Sequence, residues 1–176
     1  MSLKKKGIGI FGGSFDPPHK GHLKISKISL KKFGLKKIYW IITKQNPFKK
    51  KPFFSLENRI RKSRKILGKN NKIKVLYLDK KLNSTRSIHV INYFIKKKNQ
   101  KKLYLIIGSD SLINFHRWKS WKKIVKLTNL IVFSRRGYDK KSKNSTVVKY
   151  LNKNNIIYVN NEYFDTSSSK IRKKIT

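Results

Sequence analysis

Ile8-Gly9-Ile10-Phe11-Gly12-Gly13-Ser14-Phe15-Asp16-Pro17-Pro18-His19-Lys20-Gly21-His22-Leu23 is the stretch that decides the fold. Its apolar run, Ile8 to Phe11, reads as a short buried strand. A glycine pair follows, and from Leu23 onward apolar residues recur with a helical period. Strand, glycine-rich turn and helix start thus follow one another directly. Two of the chain's four histidines lie in this stretch, where the helix begins. The first N–H groups of a helix lack intrahelical partners and carry the positive end of its dipole, so such a turn is built to hold phosphate.

Working outward, strand-like and helix-like runs alternate. After a helix over 21–33, closed by Gly34, the nearly all-apolar segment Lys37–Thr43 reads as a second strand. Ser55–Leu67 reads as a helix with Ser55 as N-cap and Gly68 as its stop. A strand over 74–78, a helix over 87–97 and a strand over 103–107 ending at Gly108 follow. Helical pieces across 112–127, a strand over 130–133, a helix over 145–152, a strand over 156–159 and a terminal helix over 167–175 complete the pattern. Strands apolar on both faces, alternating with amphipathic helices, predict an α/β fold with a doubly wound parallel sheet. In such sheets ligands bind beyond the carboxyl ends of the strands. The informative segments mostly follow strands: 12–22, 44–52, 108–118, 135–138 and the serine triplet Ser167-Ser168-Ser169. Length and the absence of an evident linker predict one domain over 1–176. Pro47 to Pro52 reads as an irregular loop.

Composition narrows the class. Cysteine is absent, which removes disulfide frameworks and thiolate metal sites. No apolar run approaches the length of a bilayer span, and the basic N-terminus leads into a first strand instead of a signal peptide, so a cytoplasmic protein without a membrane partner is expected. The formal net charge of +39 is extreme. Its lysines are spread over helix faces, loops and both ends, which argues for compositional drift and against a specific nucleic-acid partner. That drift makes the seven acids informative. Asp16 inside the glycine turn is read as turn chemistry; Asp110 and Asp165 stand beside motifs.

The turn matches neither the dinucleotide fingerprint nor a Walker-type loop. Instead it offers His19-Lys20-Gly21-His22. Two imidazoles at i and i+3 beside a helix N-terminus suit a phosphoryl-centred reaction, donating hydrogen bonds as charge builds on non-bridging oxygens. No third ligand at a familiar spacing supports zinc.

Gly12-Gly13-Ser14-Phe15-Asp16-Pro17-Pro18-His19-Lys20-Gly21-His22 closely resembles the G-G-S/T-F-D-P-x-H-x-G-H signature of bacterial nicotinate-nucleotide adenylyltransferases, members of the H-x-G-H nucleotidyltransferase superfamily with a Rossmann-like sheet. Gly108-Ser109-Asp110-Ser111-Leu112, with Phe115, Trp118, Trp121 and Ile124, resembles that family's G-A/S-D-S-L-x-x-F-x-x-W-x-x-W-x-x-I. Arg135-Arg136-Gly137-Tyr138 is similar to its R-P/R-G-Y turn, and Ser167-Ser168-Ser169-Lys170-Ile171-Arg172 to its terminal S-S-S/T-x-I-R. The resemblance spans residues 7 to 175.

What the resemblance implies is transfer of AMP from ATP to nicotinate mononucleotide, giving nicotinate adenine dinucleotide and pyrophosphate without a covalent enzyme intermediate. It assigns His19 and His22 to the ATP phosphates near the reacting centre. Arg172 and the serine-rich start of the last helix would hold the β- and γ-phosphates, with Lys49 reaching them from the second loop. Gly13, Ser14, Phe15, Gly108, Arg135, Ser168 and Ser169 fall on the ATP side. Gly12, Ser87, Asp110 and Trp118 fall on the acceptor side, Trp118 stacking on the pyridine ring. Magnesium would enter with ATP, held by its phosphates and water.

Three departures stand out. Phe48 occupies the place of a family histidine, Thr85-Arg86-Ser87-Ile88-His89 differs from an S-Y-T-x-D-like stretch, and the sequence stops soon after Arg172, which is expected to leave the last helix less anchored. Two other readings remain open on sequence: a pantetheine-phosphate adenylyltransferase, although His19 stands where that family shows threonine, and a basic nucleic-acid-binding protein with an idle active site. Self-association is left open.

Overall fold

A computed structural model describes residues 7–152, 154–160 and 167–175. Asp165, singled out above, lies outside them.

Six strands form a sheet of order β3-β2-β1-β4-β5-β6. They are β1 (Ile8–Gly13), β2 (Lys37–Ile42), β3 (Ile73–Leu76), β4 (Leu103–Gly108), β5 (Asn129–Phe133) and β6 (Ile156–Val159). This order is that of a doubly wound Rossmann-like α/β fold, as the alternation predicted. The chain divides into two compact units, one of residues 1–85 with 164–176 and one of residues 86–163.

In the first unit β1 pairs parallel with β2, and β2 with β3. Ile8, Ile10, Ile38, Trp40, Ile42 and Ile73 are buried. Helix α1 (Lys20–Lys32) follows the glycine turn, and Gly34 at φ +58° lets the chain leave it. Helix α2 (Leu56–Leu67) has the caps its sequence announced: the Ser55 side chain accepts from the Asn58 N–H, and Gly68 ends it. The third strand stops at Leu76, and a short helix α3 (Asp79–Leu82) follows that the periodicity did not indicate. Because the three strands run parallel, the segments after Gly13, Ile42 and Leu76 leave this unit's sheet at the same edge.

The second unit is built alike. Its strands β4, β5 and β6 pair in parallel, and Leu105, Ile106, Leu130, Ile131 and Val132 are almost completely buried. Helix α4 (Ser87–Lys98) precedes β4. The stretch read as helical pieces resolves into α5 (Ser109–Ile113), a 3₁₀ turn over Phe115–Arg117 and α6 (Trp121–Leu127). The helix expected over 145–152 is α8 (Thr146–Leu151), and a short helix that was not expected, α7 (Asp139–Lys143), precedes it, begun by Asp139 in a lysine-rich stretch. The terminal helix α9 (Ser168–Lys173) belongs to the first unit.

Candidate active site

The glycine turn emerges from the end of β1. A Cβ added at Gly12 would meet no atom within 4 Å, and Gly12 does not have a positive φ. Packing therefore does not demand glycine there; the space beside it is open to a ligand. At Gly13 a Cβ would touch the Phe15 ring at 3.4 Å. Phe15 itself sits at φ +48°, a conformation non-glycine residues rarely adopt, and is held by burial. Its ring stacks on Trp40, centroids 4.9 Å apart, and lies 4.8 Å from the His22 ring.

His19 is the N-cap of α1 and His22 its third residue. The His19 main-chain N–H donates to His22 Nδ1 at 3.2 Å, and the two rings lie 3.9 Å apart. This is the reciprocal arm of a capping box, made with imidazole in place of a carboxylate. Because Nδ1 accepts, the proton of neutral His22 resides on Nε2, which makes that nitrogen a donor. Behind the ring, Trp40 Nε1 donates to Ser26 Oγ, and Ser26 Oγ donates to the His22 carbonyl. The ring's backing is thus fixed by a short chain of hydrogen bonds and aromatic contacts.

Asp16 does more than shape its own turn. It is buried, and its two carboxylate oxygens accept from the Phe53 and Phe54 N–H groups at 2.8 and 2.9 Å. It also pairs with Arg172 at 3.5 Å. Arg172 Nη1 donates to the Asp16 carbonyl, and Nη2 donates to Ser169 Oγ at 3.1 Å. Ser168 Oγ donates to the Pro17 carbonyl at 2.8 Å. The serine/arginine motif of α9 is thereby docked on the turn that carries the histidines.

Lys49 lies exposed on the loop after β2. The segment is a hydrogen-bonded turn: Asn46 Oδ1 accepts from the Phe48 N–H, and Gln45 Nε2 donates to the Lys49 carbonyl. The ends of this loop are tied down by residues the sequence did not single out. Arg59, 1% exposed on α2, donates to main-chain carbonyls around it. Burial pushes its pKa down, and Asp16, Asp79 and Glu57 push it back up. Asp79 Oδ2 accepts from Thr43 Oγ1 and from the Lys44 N–H. A signal for Arg59 was present: it shares the buried face of α2 with Ser63 and Leu67, at a spacing of four. Four other basic residues of that helix masked it.

In the second unit, Gly108, Asp110 and Arg135 come together. Arg135 Nη1 donates to Asp110 Oδ2 at 2.8 Å. A Cβ at Gly108 would lie 2.5 Å from Asp110 Oδ1 and 3.3 Å from Arg135 Cδ, so glycine here makes room for the pair. The Arg135 N–H is shared between Ser109 Oγ and Asp139 Oδ1. Trp118 is half-buried and stacks on Phe115, centroids 4.7 Å apart. Ser87, also half-buried, is the first residue of α4. Among the described residues no group of three His, Asp or Glu side chains could hold a metal, and no helix is long and apolar enough to cross a membrane.

The chain is similar to known proteins. The cytidylyltransferase-like family model matches residues 10–174. The probable nicotinate-nucleotide adenylyltransferase of Pelagibacter ubique (strain HTCC1062) is 49% identical over 173 residues, 98% of this chain and 96% of that protein. That of Endomicrobium trichonymphae is 34% identical over 96% of this chain and 85% of its own length. The fold matches that of the solved Plasmodium falciparum nicotinic acid mononucleotide adenylyltransferase complexed with NaAD, with a TM-score of 0.74 over 97% of this chain and 84% of that chain at 21% identity. With a histidine-bearing turn after the first strand of a doubly wound sheet, the chain is a nucleotidyltransferase of the cytidylyltransferase-like family. Within that class it belongs to the nicotinate-nucleotide adenylyltransferases, enzymes of NAD biosynthesis.

Proposed function

We propose that this chain transfers the adenylyl group of magnesium-bound ATP to nicotinate mononucleotide, and that the His19/His22 turn carries the chemistry. A phosphate oxygen of the mononucleotide attacks the α-phosphorus. The bond from that phosphorus to the bridging oxygen breaks, and pyrophosphate leaves with the electron pair. No proton need move to a side chain, so the protein's part is alignment and stabilisation of charge. His22 suits this task because its Nδ1 already accepts the His19 N–H, which leaves Nε2–H as the donor without protonating the ring. His19 stands beside it at the helix N-terminus.

The other roles follow the resemblance and the local geometry. Gly13, Ser14 and Phe15 line the ATP side of the turn, with Gly12 open toward the acceptor. Lys49 and Arg172 meet the β- and γ-phosphates, assisted by Ser168 and Ser169. For Arg172 the support is its docking on Asp16, which holds a cation at the phosphate turn. Gly108 and Arg135 belong with ATP, and Ser87, Asp110 and Trp118 with the acceptor. The indole of Trp118, backed by Phe115, is suited to stacking on a pyridine ring. Magnesium is part of the ATP substrate, coordinated by phosphate oxygens and water. The family match over residues 10–174 supports one nucleotidyltransferase domain. A cytoplasmic location belongs to the same proposal, on the enzyme class alone.

The test is His22→Ala. Removing one donor aimed at developing charge is expected to lower kcat about 10²–10³-fold with the thermal transition retained. A folded variant with undiminished turnover would contradict the assignment.

A further inference from the structure

Arg59 is, after Trp40, the largest fully buried side chain among the described residues. It sits beneath the loops and touches no open space, yet it is an arginine. All four of its hydrogen bonds go to main-chain carbonyls. Nη1 donates to Ser14 at 2.7 Å and to Thr43 at 2.8 Å, Nη2 to Lys44 at 3.0 Å, and Nε to Phe54 at 3.1 Å. Ser14 belongs to the phosphate turn. The pair Thr43–Lys44 and Phe54 are the two ends of the loop that carries Lys49.

Each loop end is also held from a second side. The Lys44 N–H and the Thr43 hydroxyl donate to Asp79. The Phe53 and Phe54 N–H groups donate to Asp16. The peptide between Thr43 and Lys44 therefore gives its carbonyl to a cation and its N–H to a carboxylate, which fixes its orientation. Only a planar fork of donors reaches four carbonyls in these directions; an ammonium offers three donors from one point.

We infer that Arg59 is a positioning residue for adenylyl transfer: it ties both ends of the Lys49 loop to the Gly12–Asp16 turn and so sets where Lys49 stands relative to that turn. The inference rests on the reading of this turn and Lys49 as the ATP-phosphate side. It concerns geometry transmitted through main-chain carbonyls, because Arg59 itself is sealed from the substrate.

The experiment compares the full chain with Arg59→Lys and Arg59→Met, by amide hydrogen exchange and by steady-state pyrophosphate release with each substrate varied in turn. Exchange is expected to quicken at 14–16, 43–46 and 53–55 while the strand amides of β1 and β2 stay protected. kcat/KM for ATP is expected to fall about 10–100-fold while KM for nicotinate mononucleotide stays within about twofold, with Lys recovering part of the loss. A KM for nicotinate mononucleotide that rises as much as the KM for ATP, or exchange raised throughout in step with a lowered Tm, would show a merely structural role and overturn the inference. If neither Arg59 variant folds, Asp79→Ala removes the acceptor of the Thr43 hydroxyl and the Lys44 N–H and frees one side of the 43–44 anchor with Arg59 in place. It must give the same one-sided effect on ATP, and an unchanged kcat/KM for ATP there overturns the inference. If the unaltered protein transfers nothing to nicotinate mononucleotide, the proposed function fails by itself. The exchange pattern then judges Arg59, and no selective change at the three segments sinks it.

Discussion

With the His19 N–H lodged against its Nδ1, the His22 imidazole can offer its other nitrogen to a phosphate without first gaining a proton. The glycine before it poses a complementary question. At Gly12 neither a positive φ nor a neighbouring atom requires glycine, and the proposed function gives the bare backbone to a ligand. Gly12→Ala is therefore expected to leave Tm within about 2 °C, since no contact is strained. In the same variant kcat/KM should fall at least about tenfold, because the methyl occupies the ligand's approach. Matched thermal melts and initial rates check this; unaltered rates would mean the open space is unused. The strand, glycine turn and helix start were legible in the sequence, because apolar run, glycine pair and helical period follow one another directly. Asp16 was legible only as a turn residue. Its partners Phe53 and Phe54 lie far along the chain, and no local pattern announces a carboxylate that bonds across such a separation.

At the scale of elements, β1 with α1 and the capped helix α2 could be drawn from the sequence because their signals are redundant. Apolar period and terminal glycine agree for both helices, and α2 adds an N-cap serine. The short helices α3 and α7 carry no such redundancy. Each is a single turn or little more, rich in lysine, begun by an aspartate whose side chain is spent elsewhere. The end of β4 shows how a strand terminus is shaped for its neighbours. Gly108→Ala would press a methyl on the carboxylate of Asp110, which can yield only by turning away from Arg135. The pair is substantially exposed, so the stability cost is expected to be below about 1 kcal/mol. A loss in binding the acceptor should appear instead, with KM for nicotinate mononucleotide rising about tenfold. A stability loss with unchanged KM would assign the glycine to packing alone.

At the scale of the whole molecule, the fold class followed from alternation alone: buried strands and amphipathic helices in turn leave little choice but a parallel doubly wound sheet. What was masked was that one of the five basic residues of α2, Arg59, is built into the interior, because its i, i+4 link to Ser63 and Leu67 stands among four solvated cations. The partners of the guanidinium set Arg59 apart from those cations. The large positive charge describes the surface and favours the arrival of anionic substrates at low salt. It does not select among them, so the proposed function turns on the acceptor. The direct measurement is pyrophosphate release from magnesium-bound ATP with nicotinate mononucleotide or phosphopantetheine as sole acceptor. Release that depends on the mononucleotide, with nicotinate adenine dinucleotide formed in equal amount and phosphopantetheine inert, is the expected result. A folded preparation that adenylylates phosphopantetheine instead, or neither acceptor, would contradict the account.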